Sequence, residues 1–149
     1  VPASLFDSSA WVAAVFPRHP FHAQAQAVLG AMTPDEPAVF CRATQVSFLR
    51  LITTPPLLRQ YDAANMTNCA ALTAFHLLLA RPEIAEVVEP SGTEALWQRL
   101  ASRDTASPKV WMDAYLAAFA IVGGLRFVTL DGDFKIYEAQ GLQLALLTS

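Results

Sequence analysis

Two spacings of apolar residues alternate along this chain. Short apolar runs occupy residues 3–6, 38–42, 84–88, 126–130 and 142–147, and each reads as a strand. Between them, apolar positions recur at helical spacing over residues 8–16, 21–32, 44–52, 68–80, 92–103 and 109–122. Ser8 or Ser9, Thr44 and Thr67 are the expected helix caps. Pro17-Arg18-His19-Pro20, Thr53-Thr54-Pro55-Pro56, Arg81-Pro82 and Gly123-Gly124 are the expected stops. Residues 57–65 carry no clear period, and 133–138 read as a short turn or helix. Strands alternating with helices predict an α/β fold in three α/β/α layers, with a mostly parallel central sheet.

Length and composition sharpen this. The 149 residues fit one domain, 1–149, large enough to bury a single sizeable core. The 54% hydrophobic content fits strands buried on both faces, with apolar surface left over for a partner. Pro, Arg, Asp or Gln interrupts every apolar stretch before it reaches membrane-spanning length, and the first residues lack the pattern of a signal peptide. Cys41 and Cys69 are expected to be buried free thiols in a reducing compartment, so the expectation is a cytoplasmic protein. A formal charge of −3 argues against a protein that coats nucleic acid by electrostatics. It leaves room for a nuclease whose acids are neutralised locally by metal.

The candidate chemistry lies in the carboxylates. Asp7 ends the strand run A-S-L-F-D, Asp131 ends R-F-V-T-L-D, and Asp113 opens the helix W-M-D-A-Y-L-A-A-F-A. In parallel α/β sheets the carboxyl ends of the strands line the ligand crevice. Acids gathered there repel one another and invite a hard cation. Asp133 is a fourth acid at the same edge. Asp35, Glu36, Asp62, Glu83, Glu86, Glu89, Glu94, Asp104 and Glu138 sit in turns or on expected solvated faces. A lone strand-end Asp is commonly just a helix cap, so the convergence of three carries the reading.

Other chemistries fail on the residues. Phosphatase chemistry needing a second Asp two residues beyond the first meets Ser9 instead. A phosphate-accepting receiver needs a Lys at a late strand end, where neither Lys109 nor Lys135 falls. No phosphate-binding Gly-rich loop occurs. His19 and His22 lack further zinc ligands nearby. His76, Trp11, Trp97 and Trp111 read as core or interface residues.

The order of these pieces resembles the PIN domain, and more closely the VapC-type toxins of bacterial toxin–antitoxin pairs. L-F-D-S-S-A-W-V-A resembles the opening strand and first metal-binding acid, Asp7. A-T-Q-V-S-F-L-R-L-I-T-T-P resembles a helix of one VapC subgroup. V-W-M-D-A-Y-L-A-A-F-A resembles the helix carrying Asp113, and F-V-T-L-D-G-D-F the segment carrying Asp131, with Thr129 before it and Asp133 after. The chain departs from the family at one point. Many PIN domains have a Glu in the first turn of the helix over 44–52, where this chain has Gln45, with Ser47 at the aligned position.

The resemblance implies an endoribonuclease that uses Mg²⁺ or Mn²⁺ on structured RNA such as tRNA or rRNA. Asp7, Asp113 and Asp131 would hold the metal with Asp133 assisting, while Ser8, Ser9, Gln45 and Thr129 would orient them or meet substrate. Arg18, Arg42, Arg50, Lys109 and Lys135 are candidate RNA contacts. The resemblance also implies a homodimer and a small VapB-type antitoxin. The missing Glu motivates the competing reading, a catalytically silent PIN-like binding module that works through its partner.

Overall fold

Five apolar segments pair as parallel strands: β1 (Ser4–Phe6), β2 (Ala38–Phe40), β3 (Ile84–Glu86), β4 (Arg126–Thr129) and β5 (Gln143–Leu146). The computed structural model, which describes residues 3–148, orders them β3-β2-β1-β4-β5. Every pairing is parallel, with Leu5 between Val39 and Phe127. Strand neighbours alternate between two cores, as a period of two requires. Phe6, Phe40 and Val128 face one side, and Leu5, Val39 and Phe127 the other.

The first face is covered by α1 (Ser8–Val15), α2 (His22–Gly30), α3 (Arg42–Ile52), α4 (Pro55–Gln60) and α5 (Asn68–Leu79). Its centre is aromatic. Trp11 of α1 is fully buried and stacks on Phe40 at 4.0 Å between ring centroids, and Phe75 meets Phe40 edge-on. The second face is covered by α6 (Thr93–Ala101), α7 (Val110–Gly123) and a 3₁₀ helix (Gly132–Gln140). Small residues on α7, Ala114, Ala117 and Ala120, let it lie close against the sheet. Gly124 ends α7 in the left-handed region at φ 65°, a conformation that favours glycine. No described helix is long and apolar enough to cross a membrane.

Several local expectations need correction. Asp7, not Ser8 or Ser9, caps α1. Helix α3 starts at Arg42, before Thr44, because the Thr44 hydroxyl reaches back to Cys41. It accepts from the Cys41 N–H and donates to the Cys41 carbonyl, both at 3.0 Å. Pro55 and Pro56 open α4 rather than only ending α3, since a first-turn proline has no N–H to lose. Both cysteines are free, with Cys41 buried, but Cys69 is exposed. His76 and Trp111 are exposed, which leaves only the interface half of the core-or-interface expectation.

Candidate metal centre

Strand order reverses at β1: β2 and β3 lie on one side of it, β4 and β5 on the other. A crevice opens at such a reversal beyond the carboxyl ends of the strands. Asp7 leaves β1 there, with its backbone N–H still paired to Val128 of β4 at 2.8 Å. Asp131 leaves β4 beside it, and α7 brings Asp113 in on its first turn.

Both strand-end aspartates are helix caps. One Asp7 oxygen accepts from the Ser8 N–H at 2.8 Å, and the other accepts from the Thr129 hydroxyl at 2.7 Å. Ser9 stands 3.4 Å from that second oxygen. One Asp131 oxygen accepts from the Asp133 N–H at 2.9 Å, capping the 3₁₀ helix. Thr129, fully buried at the end of β4, links the two acids because its hydroxyl oxygen also accepts from the Asp131 N–H at 3.1 Å. Ser9 accepts from the Leu130 N–H at 3.4 Å, tying the two loops together. The hydroxyls of Ser9 and Thr129 therefore hydrogen-bond to the acids or their loops, while Ser8 contributes mainly through its backbone.

The remaining oxygens meet a cation. The Lys109 ammonium lies 2.9 Å from Asp131 Oδ2, 2.7 Å from Asp133 Oδ2 and 3.7 Å from Asp113 Oδ2. A cleft of about 300 Å³ opens alongside, lined by Lys109, Asp113, Asp133, Arg103, Ile136 and Tyr137.

Electrostatics place the acids in one field. Burial pushes Asp7 above the usual carboxylate range, against the pull of its hydrogen bonds from Thr129 and Ser8, and the charge of Asp131 adds to the rise. Burial also raises Asp113, Lys109 opposes it, and the charges of Asp131, Asp7 and Asp133 push further upward. Burial acts on Asp131 in the same sense but is outweighed by the Asp133 N–H and Lys109, which hold it below the usual range. Hydrogen bonds to Asp133 and Asp131 raise Lys109, keeping it charged.

Among the described residues, no three His, Cys, Asp or Glu side chains stand close enough to ligate one ion as they are now spaced. Their chemistry nevertheless fits a hard divalent cation. The donors are all carboxylate oxygens, and three of the acids already turn one oxygen each toward a positive charge.

Gln45 and Ser47 lie elsewhere. Gln45 is buried, with its amide oxygen held by the Arg42 guanidinium at 2.8 Å, in a hollow lined by Glu86, Glu89 and Tyr115. Ser47 lines an apolar groove of about 570 Å³ with Val46, Trp97, Trp111 and Met112. Arg18 pairs with Asp62 at 3.7 Å, while Arg50 and Lys135 are exposed. Sequence reasoning offered Lys109 only as a candidate RNA contact, and the structure adds that it is the counter-ion of the acids. Its spacing of four from Asp113 on a helix was the available signal.

The family model for the PIN domain matches residues 4–139, from β1 into the 3₁₀ helix. The chain belongs to the PIN-domain family. Within it, this PIN domain is 41% identical over 144 residues to Ribonuclease VapC41 of Mycobacterium tuberculosis, found in two strains, covering 96% of this chain and 97% of that one. That similarity puts the PIN domain among the VapC proteins. The crystal structure of Mycobacterium tuberculosis VapC20, described as a sarcin-ricin loop cleaving toxin, superposes with a TM-score of 0.59 at 19% identity. It covers 94% of this chain and 96% of that one. At that identity the likeness concerns the fold, which is the PIN-like α/β arrangement expected.

Proposed function

We propose that residues 1–149 form one PIN domain acting as a metal-dependent endoribonuclease, the toxin of a toxin–antitoxin pair, on structured RNA. The observation that carries this reading is the meeting of Asp113, Asp131 and Asp133 around one positive charge at the reversal of strand order, where the charge of Asp7 also acts on Asp113. The relatives support it. VapC41 is named a ribonuclease and VapC20 a cleaver of the sarcin-ricin loop, so an rRNA loop or a tRNA is the substrate class to test.

In this reading Asp7, Asp113 and Asp131 hold Mg²⁺ or Mn²⁺, with Asp133 at the rim. The bound ion supplies a Lewis acid for a phosphate oxygen and lowers the pKa of water toward neutrality. The chain's part is to keep the acids oriented. Thr129 and the Ser8 N–H lock the Asp7 carboxylate in place, and the Asp133 N–H does the same for Asp131. RNA approaches through the cleft beside Lys109 and Arg103. Gln45 takes no part in metal binding in this account, because Arg42 occupies its oxygen. A VapB-type antitoxin, a homodimer and a cytoplasmic setting complete the proposal, and the exposed apolar groove around Trp111 suits a protein partner.

The test is incubation of purified protein with total tRNA and rRNA in Mn²⁺ or Mg²⁺, with EDTA and Asp131→Asn controls. Discrete fragments that vanish in both controls are expected. Intact RNA from folded, metal-loaded, antitoxin-free protein sinks the nuclease reading and leaves the silent binding module.

A further inference from the structure

Lys109 stands at an unusual place for a lysine. It is the N-cap residue just before α7, with no side-chain capping bond to the helix. A positive charge is disfavoured there by the helix dipole, so the backbone of α7 gives no reason for a cation at this position. The acids do. The Lys109 ammonium takes Asp131 Oδ2 at 2.9 Å, the oxygen left over once Oδ1 has accepted the Asp133 N–H. It takes Asp133 Oδ2 at 2.7 Å and stands 3.7 Å from Asp113 Oδ2. The oxygens of Asp131 and Asp113 are ones the proposed ion would need, with Asp133 at its rim, and two cations cannot share them without strong repulsion.

We propose that Lys109 is a built-in counter-cation that holds these carboxylates until a divalent metal displaces it, and so sets the metal affinity of the site. The proposal rests on the metal-dependent reading above. Its chemistry is that of a soft latch. The side chain is 60% exposed, so on release the ammonium swings straight into water, where it is strongly hydrated. Exposed ion pairs are individually weak, and two together amount to roughly tenfold in an equilibrium constant. The latch thus keeps mutually repelling acids together in metal-free protein without closing them to an ion. Removing it has effects of opposite sign on two observables: the metal-free protein becomes less stable and the metal binds more tightly. A lysine that merely props up the site would lower both.

The experiment is Mn²⁺ titration of metal-free protein, with free Mn²⁺ read by electron paramagnetic resonance and thermal melts run in EDTA. Wild type is compared with Lys109→Met, Lys109→Gln and Asp131→Asn. Expected are affinities raised about tenfold in both lysine variants, melting temperatures lowered in EDTA, and binding weakened by Asp131→Asn. Unchanged or weaker binding in either folded lysine variant, with Asp131→Asn still defective, overturns the latch and leaves the metal reading standing. Absence of Mn²⁺ binding in wild type and both lysine variants overturns the latch and the metal reading together.

Discussion

Among the described residues, Asp113 is the one of Asp7, Asp113 and Asp131 that meets no neutral hydrogen-bond donor, only the Lys109 charge at 3.7 Å. Burial and three neighbouring carboxylates raise its pKa from 3.8, so the folded state holds its proton more tightly than the unfolded chain. The sign follows from linkage: below 3.8 both states are protonated, and as pH climbs through the raised folded value stability is lost. Asp113→Asn therefore melts higher than wild type in EDTA at neutral pH, by a margin that shrinks to nothing on acidification. Melts across that pH range check it. Thr129 has the reverse character. Thr129→Val strips Asp7 of a donor and the Asp131 N–H of an acceptor inside a fully buried site. It should cost about 1–3 kcal/mol in denaturant titrations and weaken Mn²⁺ binding as well. Asp7, Asp113 and Asp131 were legible in the sequence because each sits at an element boundary. For Lys109 only the pairing with Asp113 was signalled, by its spacing of four, because Asp131 and Asp133 lie on a different element and only the fold brings them together. Gln45 was equally hidden, since its hydrogen bond to Arg42 depends on a helix start that the sequence misplaces.

Among the elements, α1 and α7 position the site from opposite faces of the sheet. Trp11 fixes α1 by stacking on Phe40, directly beneath the turn that carries Asp7. Trp11→Ala should lose about 3–5 kcal/mol, a size that urea melts resolve easily. Gly124 closes α7 far from the acids, with open space where a Cβ would lie, so only its φ of 65° penalises a side chain. Gly124→Ala should cost about 1 kcal/mol and leave Mn²⁺ affinity unchanged, whereas a shift in affinity would mean that the far end of α7 communicates with Asp113. The strands were legible from their apolar runs, and α5 from its Thr67 cap, which accepts the Ala70 N–H at 3.1 Å. Boundaries failed where one residue serves two elements. Thr44 caps from inside its helix, and Pro55 ends one helix while starting the next. Local propensity cannot rank such double uses, because packing decides them.

For the molecule as a whole, the proposed metal would be linked to the fold. An ion bound only by the folded state stabilises it by about 2.7 kcal/mol at a hundredfold excess over its dissociation constant. For a chain of this size that is a rise of roughly 5–10 °C, expected for wild type in Mn²⁺ and absent from Asp131→Asn. The layered arrangement and the crevice were readable as a pattern of alternating strands and helices. The surface was not. Val46, Trp111 and Met112 lie exposed along one groove, at 59%, 58% and 47%, and nothing in their helical spacing distinguishes that face from a core-facing one. Burial of such a face depends on partners outside the chain.

The double duty of the strand-end aspartates has a genetic side. Asparagine caps helices as well as aspartate does, and the codons of the two differ by a single transition at the first base. At Asp7 and Asp131, one point mutation would erase the charge while keeping the cap and, with it, the start of a helix. The altered chain would still fold, persist in the cell and meet its partners. On the function proposed above, a population carrying this gene stands one mutational step from a disarmed copy that cellular quality control has no reason to remove.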